Sequence, residues 1–499
     1  MKRLSLRLGL ALAFAAGVTA ASLPESIERL IASSPACRTA FWGIEIVDLS
    51  SGKTLYQRNA GHFFVPASNA KLFTTALALT RLGPDFTFLT RVMSDQPPDA
   101  DGRIAGSVRL VGGGDPNLSA RAIPYRSGPV SGDPLAALEE LAGQLAARGV
   151  KRIEGDIAGD DTWYVWQPYA EGWSVEDPVS DDGAPISALT VNDNVFTLNL
   201  RPGAGVGDLA VPALSPAVEY YSIDNRVRTV TAAGERRIRF ERVAGSMDLR
   251  VWGAIPLRDQ GQDMLLGIDD PALYAAKALR ELLERRGIAV AGRPVARHLY
   301  PHEVANLMQA PEPPLPDAGT ELASHTSAPL LEDLRITDKV SQNLHAEMAL
   351  RAVARARRNI GSFEAGREEM RTFLAEIGVE AGEYTLFDGS GLSRLDLVTP
   401  DAVIKLLRHM YRSPKREDWI SLLPIGGKDG TLSTRFADGA AAGRIHAKTG
   451  SLAHVSALSG YAQRPGGRWV AFSVLVNNYN GPSADIRGVM DRICTLIME

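Results

Sequence analysis

The chain opens on three cations and an apolar run. Lys2, Arg3 and Arg7 precede the stretch from Leu8 to Val18, and Val18-Thr19-Ala20 has small-x-small cleavage spacing. The run is well short of the ~20 apolar residues that a membrane span needs. Residues 1–21 are therefore predicted to be a cleaved secretory signal. No cysteine follows the run, which argues against a lipid-anchored form. Positions 42–50 then alternate apolar and polar, as a strand does. Ser50-Ser51-Gly52 supplies a turn, and Lys53-Thr54-Leu55-Tyr56 starts a returning strand, so a hairpin is predicted. From Ser68 the period lengthens: Leu72, Phe73, Ala76, Leu77 and Leu79 recur at helical spacing until Gly83-Pro84. The pattern predicts β-rich structure over 86–111, a helix over 134–149, short strands through 191–268 and a helix over 271–287. The Pro-rich stretch 310–316 reads as a linker. Helices are predicted over 329–357, 362–378 and 400–412, then strands over 444–448, 455–462 and 469–477.

A length of 499 residues implies two or three domains. With 45% hydrophobic and 22% charged residues, wholesale disorder is excluded. The net charge of −4 offers no basic excess for nucleic acid. Lysine supplies only ten of the 54 basic residues, so a motif built on lysine is less easily met by chance. The two cysteines, Cys37 and Cys494, have neither CxxC nor metal-ligand spacing, and no metal or cofactor is expected. In an exported protein they either pair or remain as two buried thiols, and the residues alone leave both readings open.

Three motifs stand out. Pro66-Ala67-Ser68-Asn69-Ala70-Lys71 places Ser68 at a helix start with Lys71 one turn on, on the same face. A neutral lysine there can take the serine proton, and the helix terminus and neighbouring cations are expected to lower its pKa. A second S-x-x-K, Ser50 to Lys53, lies in the hairpin turn with no helix after it and is set aside. Ser341-Gln342-Asn343 lies in the helical region, and Lys448-Thr449-Gly450 closes a predicted strand. S-x-x-K, S-x-N and K-T-G in this order are the signature of β-lactamases and penicillin-binding proteins. Ser68 is the expected nucleophile of an acyl-enzyme and Lys71 its base. Ser341 is expected to relay a proton to the leaving amine, and Asn343 to hold Lys71 and the substrate amide. Lys448 and Thr449 are expected to bind a substrate carboxylate. Gly450 is expected to allow close backbone approach. The N–H groups of Ser68 and Ser451 are the expected oxyanion donors.

Ser68 and Ser341 are 273 positions apart (341 − 68), whereas a compact β-lactamase core needs only a short helical segment there. Roughly 200 residues are thus inserted, one or two extra domains in size. With Val65 to Thr74, Gly113-Gly114-Asp115-Pro116-Asn117-Leu118, Gly183 to Leu189, Asp388-Gly389-Ser390-Gly391-Leu392-Ser393 and Ala447 to Leu452, the chain resembles the S13 peptidases. These are D-alanyl-D-alanine carboxypeptidase/endopeptidases of the penicillin-binding protein 4 type. Gln342 is a mild departure from the commoner S-D-N. The resemblance implies a multidomain α/β protein. Its penicillin-recognising domain (22–92 and 318–499) has a five-stranded antiparallel sheet flanked by helices. An inserted second domain (93–193 and 269–317) is in turn interrupted by a β-rich third (194–268).

The resemblance further implies cleavage of D-alanyl-D-alanine termini and D-alanyl–diaminopimelate cross-links in peptidoglycan stem peptides. It implies covalent inhibition by β-lactams and a periplasmic or secreted location. Loose association with membrane or cell-wall assemblies is left open. It lends weight to a Cys37–Cys494 pairing if both termini pack on one sheet face. It also places Asp177, in Trp173-Ser174-Val175-Glu176-Asp177, in a pocket for the substrate's free amino group. Other features receive structural readings: packing or surface roles for His345 and His446, and a solvated face for the cations of 351–358. Ser390 lacks the G-x-S-x-G frame. A catalytically weak binding module and a β-lactamase are the competing functions.

Overall fold

The computed structural model describes residues 22–242, 246–312 and 319–498. The signal expected over 1–21 lies outside them, as does part of the Pro-rich linker. Helix α1 (Leu23–Ser33) starts at a capping box in which Ser22 and Glu25 satisfy each other's backbone N–H groups. Strands β1 (Phe41–Asp48) and β2 (Thr54–Arg58) form the hairpin. Its turn is held by Asp48 Oδ1, which accepts from the N–H groups of Ser50 and Ser51 at 3.0 and 2.8 Å. Gly52, at φ +73°, makes the left-handed step. Helix α2 (Lys71–Leu82) ends at Gly83.

The chain then leaves this layer. It returns with α3 (Leu330–Lys339), α4 (Asn343–Arg358), α5 (Phe363–Glu376) and α6 (Pro400–Arg412), followed by β3 (Ile445–Leu452), β4 (Val455–Gln463), β5 (Trp469–Asn477) and α7 (Ser483–Met498). The five strands form one sheet in the order β3-β4-β5-β1-β2, every neighbouring pair antiparallel. The last strands of the chain thus pair directly with the first.

Both faces of the sheet are covered. On one, Leu72, Phe73, Val353, Phe373 and Leu407 pack with Val47, Tyr461 and Leu475. On the other, Ile27 of α1 and Ile486, Val489 and Ile493 of α7 pack with Ile44, Ile46, Leu458 and Val474. Alternation along β1 therefore divides its residues between two cores, because successive side chains point to opposite faces. Cys37, in the short helix Pro35–Thr39, and Cys494 of α7 lie in the second core as buried free thiols. The termini do share a sheet face, but the structure contains no bond between the two sulfurs.

The insert has its own five-stranded sheet, in the order Pro294–Leu299, Ile157–Val165, Val108–Val111, Leu89–Ser94, Thr320–Thr326. The first three strands are parallel and the last two pairings antiparallel. The expected boundary after residue 92 cuts through Leu89–Ser94, and that before residue 318 leaves Thr320–Thr326 outside the insert; the two strands pair with each other and belong to this sheet. The outgoing and returning connections thus run side by side as a ladder. Six strands between 195 and 267 form two three-stranded sheets. Their apolar side chains, including Leu198, Val227 and Val251, join Leu279 and Leu282 of the helix Pro271–Arg285 in one continuous core.

Two helical expectations change. The helix predicted over 329–357 is broken between Lys339 and Asn343, where Ser341 has φ +65° and Gln342 caps the next helix through Leu344 N. Arg351, expected on a solvated face, is fully buried with Glu347, Nη1 to Oε2 at 3.2 Å. Position within a helix says which residues share a face; it does not say how many other elements cover that face.

With both sulfurs unbonded and buried, a thiol reagent should find no reactive cysteine in the native protein and two after unfolding without reductant. Finding none after unfolding would establish a disulfide instead.

Candidate active site

Ser68 sits in a single 3-10 turn, Ala67–Ala70, that runs into α2. Ala67 has φ +47°, a conformation that non-glycine residues seldom adopt. The turn is fixed by its neighbours. Asn69 Nδ2 donates to Lys448 O at 3.0 Å. A Cβ on Gly391, at φ +79°, would lie 1.9 Å from Ala67 O, so only glycine lets the 388–393 loop close on this turn. A Cβ on Gly450 would lie 2.7 Å from Pro66 O and 3.1 Å from Ser68 N. The glycine thus brings β3 against the backbone of Ser68.

Lys71 is fully buried. Its Nζ lies 2.9 Å from Ser68 Oγ, 2.6 Å from Asn343 Oδ1 and 2.7 Å from Ser390 O. Burial pushes its pKa down to about 8, against the opposing pull of Asp388, Asp338, Glu347 and Asp182. The direction agrees with the sequence-based expectation; the cause differs. Dehydration is the largest cause, and the four nearby carboxylates oppose it. At neutral pH the free base rises from about one molecule in three thousand to about one in ten.

Asn343 is the first residue of α4, and its Nδ2 donates to Asp182 O at 2.8 Å. Both ends of its amide are thus engaged by protein groups. Lys448 Nζ is buried and donates to Ser341 Oγ at 2.8 Å and Thr449 O at 3.0 Å. Burial and the charge of Lys71 push the Lys448 pKa well down, and Asp338 resists. Thr449 Oγ1 donates to Thr431 Oγ1 at 2.8 Å. A cavity of about 280 Å³ is lined by Ser68, Ser341, Asn343, Thr449, Gly450 and Ser451, with Asp182, Gly391 and Thr431 among its other walls.

Asp177 stands apart from that lining. Its Oδ2 accepts from Ser174 N at 2.6 Å and from Arg394 Nη1 at 2.8 Å. The pair nevertheless ties together the two segments that supply Asp182 and Gly391 to the cavity.

Several contributors escaped the sequence reading. Ser390 acts through its carbonyl, which no side-chain motif reports. Its loop is built on Asp388, whose carboxylate accepts from the N–H groups of Ser390, Gly391 and Ser393. His345 is fully buried between Asp333 Oδ1 at 2.7 Å and Asp193 Oδ1 at 3.2 Å. Although burial opposes the charged form, these carboxylates raise its pKa to about 9. Burial also disfavours the Asp193 anion, yet Arg121 and His345 hold its carboxyl well below the usual range. Asp193 Oδ2 accepts from Arg121 Nε at 2.7 Å and from Gln342 Nε2 at 3.2 Å. This buried ion cluster anchors the middle residue of the S-x-N motif to the insert.

Residues 23–496 match the D-Ala-D-Ala carboxypeptidase 3 (S13) family. The chain is 34% identical over 500 residues to a D-alanyl-D-alanine carboxypeptidase of Actinomadura sp. (strain R39), covering 98% of this chain and 87% of that protein. It is 25% identical over 440 residues to D-alanyl-D-alanine carboxypeptidase DacB of Haemophilus influenzae, covering 87% and 84%. The crystal structure of penicillin binding protein 4 (dacB) from H. influenzae superposes with a TM-score of 0.80 at 24% identity, covering 95% of this chain and 99% of that one. A second structure of that protein, complexed with a β-lactam, gives a TM-score of 0.75 at 22% identity. The chain therefore belongs to the S13 family of D-Ala-D-Ala carboxypeptidases, serine peptidases with the penicillin-binding protein 4 fold.

Proposed function

We propose that the chain is an exported serine D,D-peptidase. It cleaves D-alanyl-D-alanine termini and D-alanyl–diaminopimelate cross-links through an acyl-enzyme on Ser68, and β-lactams acylate the same oxygen. One observation carries the reading: the set of partners around Lys71 Nζ. Asn343 Oδ1 and Ser390 O can only accept. A neutral amine has two N–H groups and one lone pair. The two N–H groups go to those acceptors, and the lone pair faces the Ser68 hydroxyl at 2.9 Å. Lys71 is then a base already aimed at its proton.

In this reaction Ser68 Oγ attacks the carbonyl of the penultimate D-alanine as its proton passes to Lys71. The N–H groups of Ser68 and Ser451 receive the oxyanion. Ser341 Oγ accepts from Lys448 Nζ, which leaves its own hydrogen free for the leaving nitrogen as the C–N bond breaks; the proton taken up by Lys71 passes to Ser341 Oγ in its place, which restores both the hydroxyl and the base. Thr449 presents its hydroxyl to the substrate carboxylate, with the buried Lys448 charge behind it. Water then hydrolyses the ester, and its proton goes to the restored base. The apolar run after Lys2, Arg3 and Arg7 supports a periplasmic or secreted location. Among the described residues no helix is long and apolar enough to cross a membrane.

Asp177, outside the cavity lining, is proposed to take the free amino group of the substrate's side chain. Exchange of Arg394 for a substrate ammonium would leave the carboxylate paired and free the guanidinium for a substrate carboxylate. Asp177→Asn should slow peptides bearing a side-chain amino group several-fold more than peptides lacking it. Equal effects on both would remove Asp177 from specificity.

Brief exposure to benzylpenicillin should add one penicillin to the intact mass of wild type and nothing to Ser68→Ala, which also loses turnover of both D-alanyl-D-alanine peptides and cross-linked dimers. Rapid hydrolysis without an adduct would make the protein a β-lactamase, and neither adduct nor hydrolysis a binding module. Because only neutral Lys71 can act as base, acylation should fall as pH drops below about 8, by about tenfold per unit. Lys71→Met should lower it by roughly 10²–10⁴-fold.

A further inference from the structure

Beneath the two active-site lysines lies a carboxyl group that the reaction does not use. Asp338, near the end of α3, is fully buried. Thr75 Oγ1 of α2 lies 3.0 Å from its Oδ2 and 2.8 Å from Lys71 O, one helical turn back. A hydroxyl has one hydrogen and here faces two acceptors. The other carboxyl oxygen, Oδ1, has no hydrogen-bond partner among the described residues. An anion in this place would be poorly satisfied. A neutral acid closes the chain: its O–H donates to Thr75 Oγ1, and Thr75 donates to Lys71 O.

The charged groups bearing on Asp338 are Lys448 of β3, Lys71 of α2 and Lys339 of its own helix. Lys339 is already held by Leu423 O and Asp429 Oδ2, both at 2.7 Å. Arg335 is held by Glu332 and by Ser421 of the helix Arg416–Leu422. His345 of α4 meets α3 at Asp333 instead. Lys71 and Lys448 are therefore the cations whose charge Asp338 can govern.

We propose that Asp338 sets the pH range of the reaction by holding either a proton or a negative charge beneath Lys71 and Lys448. Asp338 is a positioning residue; it acts on charge and touches no reacting atom. Burial raises its pKa to about 7 against the pull of Lys448, Thr75, Lys71 and Lys339. Below that pH it is mostly neutral and leaves Lys71 easier to deprotonate. Above it, the anion raises the proton affinity of both lysines and keeps Lys448 charged for the substrate carboxylate.

The inference rests on Lys71 as base and Ser68 as nucleophile. The test is the second-order rate of acylation by benzylpenicillin from about pH 5 to about pH 10 in wild type and Asp338→Asn. Asparagine keeps the size, and its Nδ2 can donate to Thr75 as the acid does. The alkaline limb should move to lower pH by roughly one unit, about tenfold in rate at a fixed pH on that limb. The acid limb should stay or move the same way. Limbs that remain in place, whatever the amplitude, or that move upward overturn the proposal and leave the parent reading intact. A wild type that is never acylated overturns both. Should the asparagine variant fail to fold, Asp338→Ala, which leaves Thr75 its helix carbonyl, must show the same displacement.

Discussion

A lysine stripped of water holds this site together. Burying an ammonium group is so unfavourable that it either loses its proton or is surrounded by acceptors. Lys71 does some of each. Its pKa falls to about 8, and its three partners come from three different segments: Ser68 from the turn before α2, Asn343 from the start of α4, and Ser390 from the loop built on Asp388. None of those segments can move without exposing the amine or leaving it unpaired. Packing and chemistry are therefore one constraint here.

The sheet explains how segments so distant in sequence come to share that constraint. β3 is an edge strand, and glycine at position 450 lets it lie against the Ser68 turn. Lys448 then reaches Ser341 from below while Asn69 grips the Lys448 carbonyl. Because β5 pairs with β1, the first and last parts of the chain close on each other, and the insert leaves and returns on adjacent strands. The insert is also part of the site's foundation. Asp182 O receives the Asn343 amide, and Asp193 with Arg121 and His345 fixes Gln342. Ser341 is held in a left-handed conformation between these anchors.

Much of the site was legible because its chemistry is local. S-x-x-K needs one helical turn, and K-T-G needs one strand, so spacing alone reports both. Asn343 and Ser341 were legible for the same reason, although the helix reading ran straight through them. Helical periodicity is carried by the apolar positions on either side and is blind to a three-residue break. Ser390 is not legible as a partner of Lys71, because the sequence displays its hydroxyl whereas the structure uses its carbonyl. His345 looked like packing because its two carboxylate partners, Asp333 and Asp193, are 12 and 152 positions away.

By itself the sequence determined the three motifs, their order, the strand and helix that carry two of them, and the size of the insert. All follow from periodicity and from side chains a few residues apart. Only the tertiary structure decided which groups lose their water. Dehydration is a property of what packs around an atom, and the packing neighbours of Lys71, Lys448 and Asp338 come from segments hundreds of residues apart. The low pKa of Lys71 and the raised pKa of Asp338 arise from that burial, and the charge on His345 arises from the two carboxylates that packing sets against it.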